Sequence, residues 1–168
     1  GGRRLIKKKT GGRPANADSS ALLYRDIGSR VREIAPFLAV DSDPYFTVAG
    51  GRVYVVANAY AATSRYPYSV PNRGVNYLRH TVTAVMDAYT GETKLYLVDD
   101  KEPITRTWRA VYPKLFTPFA EVPDGLRDHL RYGEDLFDYQ SDVIGKFHVT
   151  DTDVFFNGDD AWAIPEDA

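Results

Sequence analysis

The feature that most constrains the fold is a long segment that alternates with period two around a short Thr-Gly turn. The predicted strand runs from Tyr77 to Tyr89, and between Thr81 and Ala88 an alanine, valine or methionine occupies every second position, so successive side chains face opposite sides of a strand. After a turn at Thr90-Gly91, the second arm of the hairpin is Glu92–Val98. The segment predicts an antiparallel hairpin over residues 77–99, with Asp87 fixing the approach to its turn.

A second hairpin is predicted upstream of the first. Tyr45–Ala49 is a short strand and Arg52–Thr63 a longer one, and Gly50-Gly51 between them supplies the positive φ that a two-residue turn needs. Neither face of the longer strand is strongly polar, so we expect a central strand covered on both sides. Four antiparallel strands follow, with sequential order as the expectation, because neighbours in sequence usually pair.

Helical periodicity precedes the hairpins. Apolar residues step by three or four positions between residues 21 and 35, which predicts one helix with a buried stripe. Ser19 and Ser20 are available as N-caps, and Pro36 ends the helix. The expected stripe consists of Leu23, Ile27, Val31, Ile34 and Leu38.

Three further helices are predicted after the hairpins, at residues 103–115, 123–130 and 134–147, and these helices close one face of the sheet. The inward residues expected on the first are Ile104, Trp108, Val111 and Leu115. Those expected on the third are Phe137, Val143, Ile144 and Phe147. Residues 154–156 and 162–164 are expected to be extended, with Asp159-Asp160 at a turn.

The fold class is therefore α+β: an antiparallel sheet of about four strands with an N-terminal helix and a C-terminal cluster of three helices packed on it. We expect residues 21–168 to form a single domain. Residues 1–20 lack an apolar period and carry many Lys and Arg residues, which predicts a flexible basic arm. The chain starts with Gly, so we expect a fragment of a longer product.

Charge and composition exclude several classes of protein. The net charge is −2 and the surplus of positive charge is confined to the first 13 residues, so a nucleic-acid partner is not expected. The chain has no Cys, which excludes disulfides and thiolate chemistry. No run approaches the roughly 18 apolar residues that a membrane span requires.

No catalytic or metal-binding pattern is present in the sequence. His80, His129 and His148 lack the spacing of a zinc site. The Asp-x-Asp pairs at residues 41–43 and 151–153 are interpreted as turn-formers rather than cation ligands. We predict no catalytic residue, no metal and no cofactor. A hydrolase that uses two carboxylates stays open, since Asp and Glu are abundant but nothing selects a pair.

The most suggestive polar cluster lies in and just after the loop of residues 64–76. Aromatic rings combined with amides and an arginine are typical of sugar or peptide recognition. The alternative is that the tyrosines and prolines pack over a sheet edge and fix the path of the loop. The candidate ligand-binding residues are Tyr66, Tyr68, Asn72, Asn76, Tyr77 and Arg79.

Five stretches together resemble one protein family. They are RVREIAPFLAVDSDPYF (30–46), NYLRHTVTAVMDAYTGETKLYLVD (76–99), YPKLFTPFAEVP (112–123), HLRYGEDLFDYQ (129–140) and VFFNGDDAWAIP (154–165). The chain resembles uncharacterised protein family 0182, large bacterial membrane proteins with several spanning helices followed by a long domain outside the cytoplasm. Two positions depart from the family pattern: Asn58 stands where an Asp is expected, and Gly133 where a Pro is expected.

The resemblance implies a location rather than an activity. It places this chain in the extracytoplasmic domain of a polytopic protein of the cell membrane, and no catalytic residue is carried over from the family. The expected role is a non-catalytic binding or accessory domain. Expected partners are the remainder of the same membrane protein and a cell-envelope polymer or another envelope protein. The alternatives are the carboxylate-dependent hydrolase, acting on envelope material, and a purely structural part of a larger domain.

Overall fold

Both predicted hairpins are present and share one sheet in the computed structural model, which describes residues 26–165. In chain order the strands are β1 (Ala39–Val40), β2 (Tyr45–Ala49), β3 (Arg52–Thr63), β4 (Tyr77–Asp87), β5 (Thr93–Leu97) and β6 (Phe116–Pro118). The helices are α1 (Ile27–Ile34), α2 (Pro103–Val111), α3 (Asp124–Arg127), α4 (Glu134–Phe147) and α5 (Thr152–Asn157), with a 3₁₀ turn at Phe119–Glu121. The predicted arm of residues 1–20, with Ser19 and Ser20, lies outside the described residues, as does Leu23.

The turns follow the chemistry expected of them. Gly50 and Gly51 have φ of 56° and 73°, the left-handed conformation in which glycine avoids a steric cost. In the second hairpin, Asp87 Oδ1 accepts hydrogen bonds from the backbone N–H groups of Tyr89 (2.8 Å) and Thr90 (2.9 Å). The predicted role of Asp87 at this turn is confirmed.

The sheet has six strands in the described residues, not four. Its order is β1-β3-β4-β5-β6, and β2 also pairs with β3. The sequential order of the four predicted strands is confirmed, but β1 adds to β3, and β6 lies parallel to β5 after the crossover through α2. These two strands have two and three residues, too few for a period of two to show in a sequence.

One face of the sheet is covered by α1. Ile27 and Val31 on this helix are almost fully buried against Val55, Ala57 and neighbouring strand residues. Burial of each such aliphatic side chain contributes roughly 1.5–3 kcal/mol. The predicted stripe is correct at these two positions and at Leu38. The predicted burial of Ile34 is wrong, because its side chain is 41% exposed.

The opposite face is covered by the 3₁₀ turn and α3, and this overturns the prediction that the C-terminal helices close a single face. Val122 and Leu126 pack there with Val56, Val85 and Tyr96. The first of the predicted helices, α2, lies with the α1 layer instead: its Trp108 ring stacks on Phe37 at 4.1 Å. Because β3 and β4 are apolar on both faces, each face needs its own cover.

The inward residues predicted for the first C-terminal helix are correct at Trp108 and Leu115, which pack with the α1 layer, whereas those predicted for the third helix are largely wrong. On α2, Val111 is exposed and Thr105 is the buried residue. On α4, Phe137, Ile144 and Phe147 are at least half exposed, whereas Leu136 and Gly145 are buried. Residues 152–157 form α5 rather than an extended segment, because Asp151 caps the helix by accepting from Asp153 and Val154 N–H.

The end of the described chain turns back towards α4. Asp159 and Asp160 lie in the turn that follows α5, as predicted. The longest helix of residues 26–165 is α4, with 14 residues, and no helix in this part of the chain combines the length and apolarity needed to cross a membrane.

Candidate functional site

The loop of residues 64–76 is organised by the side chain of Asn76. Its Oδ1 accepts from Tyr66 N–H at 2.9 Å, and its Nδ2 donates to the carbonyl oxygens of Tyr66 (2.8 Å) and Ser69 (3.1 Å). Asn76 is buried, so these bonds satisfy an amide that would otherwise be costly to desolvate. The structure therefore places Asn76 inside the loop, where its amide serves the fold.

Two of the candidate tyrosines form a stacked pair beside Asn76. The rings of Tyr66 and Tyr77 lie 4.9 Å apart at 14°. The Tyr77 hydroxyl donates to Glu102 Oε1 at 2.9 Å, and burial, together with this bond, raises the pKa of Tyr77 to about 12. Tyr77 is thus an anchor, while Tyr66 is half exposed and presents the free edge of the pair.

The other candidates are spread along the loop and β4. Tyr68 has φ of 58° and is fully exposed, and Asn72 exchanges two backbone hydrogen bonds with Val75. Arg79 Nε lies 2.8 Å from Asp99 Oδ2, in an ion pair at the surface. The structure brings Tyr66, Asn76 and Tyr77 into contact but commits Asn76 and Arg79 to bonds within the chain. Ligand binding by Tyr66 and Tyr68 stays a prediction.

Sequence reasoning missed the contact that attaches this loop to α4. The Arg73 guanidinium lies with Nε 2.5 Å from Asp142 Oδ2 and Nη1 3.2 Å from Asp138 Oδ2. The hydrogen bond from Arg73 holds the pKa of Asp142 below its ordinary value. The available signal was the spacing of Asp138 and Asp142, four residues apart on one helix face.

A cleft of about 690 Å³ opens beside this arginine. Its walls come from α4, α5 and the segment that follows α5. The charged groups on it include Arg73 and Lys146, and the apolar ones Phe155, Trp162 and Ile164. The cleft is thus a mixed surface on which Asp138 and Asp142 share one cationic partner, Arg73.

A buried polar network joins the segment after β1 to β3. The Tyr60 hydroxyl donates to Asp41 Oδ2, and Asp41 Oδ1 accepts from Asp43 N–H at 3.0 Å. Burial first, and then the Asp41 carboxylate, raise the pKa of Tyr60. The first Asp-x-Asp pair thus forms a turn, as predicted, through the side chain of Asp41.

Asn58, at the position where the resemblance predicts an Asp, belongs to the same region. Its side-chain Nδ2 donates to the backbone carbonyl oxygen of Arg131 at 3.1 Å. The backbone carbonyl oxygen of Asn58 accepts from Asp41 N–H at 2.9 Å. An aspartate at position 58 could not donate to Arg131. The amide therefore links β3 to the segment before α4, a structural role.

One pair of carboxylates meets the description of an acid-base site in part. The Asp43 carboxylate, and then burial, raise the pKa of Glu134. Both side chains are exposed to solvent, whereas general acids of glycosidases are tuned by apolar surroundings. Among residues 26–165, no three His, Asp or Glu side chains are grouped as a metal site.

The fold and its polar contacts define an α+β domain in which most buried polar side chains are bonded to neighbours in the chain. The profile described as "Uncharacterised protein family (UPF0182)" matches residues 13–168. The chain belongs to this family, as the resemblance predicted. No solved structure matches the chain.

Relatives with the same description come from several organisms. A UPF0182 protein of Moorella thermoacetica is 46% identical over 150 residues, which is 89% of this chain and 16% of the relative. That of Clostridium acetobutylicum is 44% identical over 146 residues, 87% of this chain and 16% of the relative. That of Methanospirillum hungatei is 43% identical over 157 residues, which is 89% of this chain and 18% of the relative. The chain thus spans less than one-fifth of the length of these relatives.

Proposed function

We propose that this chain is a non-catalytic accessory domain of a longer polytopic membrane protein, held on the extracytoplasmic face and packed against the remainder of that protein. The observation that carries the proposal is the use of its polar groups. The buried side chains of Asn58, Asn76 and Glu102 form hydrogen bonds with backbone groups or with a neighbouring tyrosine. Groups committed in this way stabilise a fold and are not free to act on a substrate.

The size of the relatives supports the same proposal. In the three relatives described above, the region similar to this chain covers 16–18% of the protein. A segment of that share is expected to have neighbours within its own polypeptide. We therefore favour an intramolecular partner over an independent activity.

A location test uses the absence of Cys from this chain. Tyr68→Cys would be introduced into the longer protein in a background without other reactive cysteines, because Tyr68 is fully exposed. A membrane-impermeant maleimide should label it in intact cells. The matched control is Ala57→Cys, which is buried and should react only after denaturation. Labelling of Tyr68→Cys only after permeabilisation would contradict the extracytoplasmic location.

The exposed rings of Tyr66 and Tyr68 favour a second candidate function, binding of a cell-envelope polymer. Tyrosine combines an apolar face with a hydroxyl, which suits a sugar ring. The chain should then sediment with purified peptidoglycan, and the Tyr66→Ala, Tyr68→Ala double variant should not. Tyr89→Ala, at an exposed tyrosine outside this loop, serves as the control. Equal sedimentation of all three proteins would exclude binding through the loop.

The hydrolase alternative is tested at the carboxylate pair. Glu134→Gln with Asp43→Asn removes both charges at an exposed site and should leave the function of the longer protein unchanged in cells. Loss of function in this variant, with normal abundance in the membrane, would favour the hydrolase.

A further inference from the structure

An apolar face is exposed at the C-terminal end of the described chain. Phe156 is 88% exposed and Trp162 62% exposed, values unusual for large apolar side chains. We use the name C-terminal apolar face for Ile144, Phe147, Phe155, Phe156, Trp162 and Ile164.

Contacts between most of these residues make the face continuous. The rings of Phe147 and Phe155 lie 5.8 Å apart, which joins α4 to α5. Ile144, Trp162 and Ile164 line one shallow depression, and Phe155 lines the neighbouring cleft with Trp162 and Ile164. Ile144, Phe147, Phe155, Trp162 and Ile164 therefore form one surface, and Phe156 adjoins it as the residue that follows Phe155 in α5.

The fold holds this surface in place without a partner. Trp162 N–H donates to the Gly145 carbonyl oxygen at 3.2 Å, and the Trp162 ring lies 3.8 Å from the ring of His148. A β-carbon at position 145 would lie 2.5 Å from the Trp162 carbonyl oxygen, so glycine permits this approach. A preformed surface loses little conformational entropy on binding.

Charge around the face selects its partner. Between Glu134 and Pro165 the chain carries eight Asp and Glu residues against a single Lys. Arg73 of the loop pairs with two of these acids, Asp138 and Asp142, so the region keeps a negative net charge. A second copy would bring the same negative charge, and an anionic bilayer would also be repelled. An apolar segment flanked by Lys or Arg is complementary both to the apolar side chains of the face and to the negative charge around it.

We propose that the C-terminal apolar face binds a Lys- or Arg-flanked apolar segment elsewhere in the same longer polypeptide. This inference rests on the proposed function and deepens it by assigning the surface and the chemistry of the partner. More than four-fifths of each described relative lies outside the similar region, so ample sequence is available. Tethering on one chain raises the effective concentration of the segment, to the millimolar range for short linkers.

The direct test is photo-crosslinking in the longer protein within native membranes. p-Benzoylphenylalanine replaces Phe156, and mass spectrometry identifies the captured peptide. A peptide from the same polypeptide, outside the region of this chain and containing Lys or Arg, is the expected result. Capture of a second copy, of lipid or of another protein would overturn the inference, as would no capture.

Two control positions make the result decisive. The photoprobe at Tyr66, which stacks on Tyr77, must capture a peptide of this chain and thereby verifies the chemistry. The photoprobe at Phe46 on β2, 69% exposed, samples a surface outside the face. Intramolecular capture at Phe46 but not at Phe156 would overturn the assigned surface and leave the proposed function standing. Failure of Tyr68→Cys labelling would instead count against the extracytoplasmic location.

Charge reversal provides an independent arm. Asp159→Lys with Asp160→Lys should lower the capture yield at Phe156 several-fold, and Glu substitutions of the captured Lys or Arg residues should restore it. Unchanged yield in the reversed protein would overturn the electrostatic part of the proposal. Phe156→Ser should leave the urea midpoint of the 168-residue chain unchanged while making the longer protein more sensitive to protease.

Discussion

The backbone of Gly133 lies directly against the hydroxyl group of Tyr60. A β-carbon at position 133 would overlap the Tyr60 hydroxyl oxygen and would lie 2.6 Å from Asp41 Oδ2. The φ of Gly133 is −75°, so its backbone conformation is open to any residue, proline included. The requirement for glycine is therefore one of space beside the buried Tyr60–Asp41 pair.

Gly133→Ala should destabilise the chain by about 1–3 kcal/mol, the usual cost of overpacking a filled site. The measurement is urea unfolding followed by circular dichroism. Gly125→Ala is the matched control, because its β-carbon would meet only Ala49 Cβ at 3.9 Å. That variant should be neutral or more stable by up to about 1 kcal/mol, since alanine favours a helix. Equal stability of the two variants would show that Tyr60 can move away at little cost.

Asn76→Asp should destabilise the chain by about 2–4 kcal/mol, because a carboxylate would replace the donor to two carbonyl oxygens and remain buried. The affected acceptors are the carbonyl groups of Tyr66 and Ser69. Hydrogen exchange of the loop amides should rise together with the loss of stability. Asn72→Asp, at a partly exposed position with a 3.4 Å contact to Asp142, should cost less. A loop that exchanges no faster in Asn76→Asp would contradict this role.

Stability should fall in acid through Glu102. Burial raises the pKa of this carboxyl, but hydrogen bonds from Thr105 and Ile104 N–H outweigh burial and leave the pKa below its ordinary value. A lowered pKa in the folded state contributes stability above about pH 4.3, the ordinary value for glutamate, and that stability is lost as the pH falls further.

Glu102→Gln tests this linkage. It should cost about 0.5–2 kcal/mol at pH 7, as expected for a weakened helix cap, and less at pH 3, where the original carboxyl is protonated as well. Urea midpoints at the two pH values measure the difference. Glu92→Gln, at an exposed position, should change stability by no more than about 0.5 kcal/mol at either pH. A constant cost of Glu102→Gln across this range would refute the linkage.

His80 adds a second pH dependence at milder acidity. Burial lowers its pKa, although a hydrogen bond to the Val82 carbonyl oxygen partly opposes the shift. The folded state therefore favours the neutral ring, and the stability it contributes is present above about pH 6.5 and declines below it. Unfolding at pH 7.5 and 5.5 should show this decline, and His80→Gln should reduce it. An unchanged slope in the variant would assign the decline to other groups.

The sequence predicted the two hairpins because their signals are local. Period two, paired glycines and a Thr-Gly turn each act over a few residues, as in Val53–Ala59 and Val82–Ala88. β1 and β6 escaped prediction because long-range pairing, not local pattern, defines strands of two and three residues. The apolar residues of α4 recur with the helical period typical of a buried face, so the pattern predicts that they lie in the core. In the described residues, Phe137, Ile144 and Phe147 are exposed.

The sequence predicts which residue types meet in the candidate site, but it does not predict what each side chain does there. A sequence shows that Asn76, Tyr66 and Tyr77 are near one another, but not that the amide turns inward to bond the loop. Arg73 was overlooked because its partners Asp138 and Asp142 lie more than 60 residues away. Such pairs emerge only when distant segments are brought together.

The three-residue strand at one end of the sheet has a practical consequence. β6 ends at Pro118, and proline cannot donate a backbone hydrogen bond to an added strand. A strand of a second molecule would find too few free backbone N–H and C=O groups on β6 to pair with it. Addition of a further strand at β6 is therefore hindered by the missing N–H of its last residue.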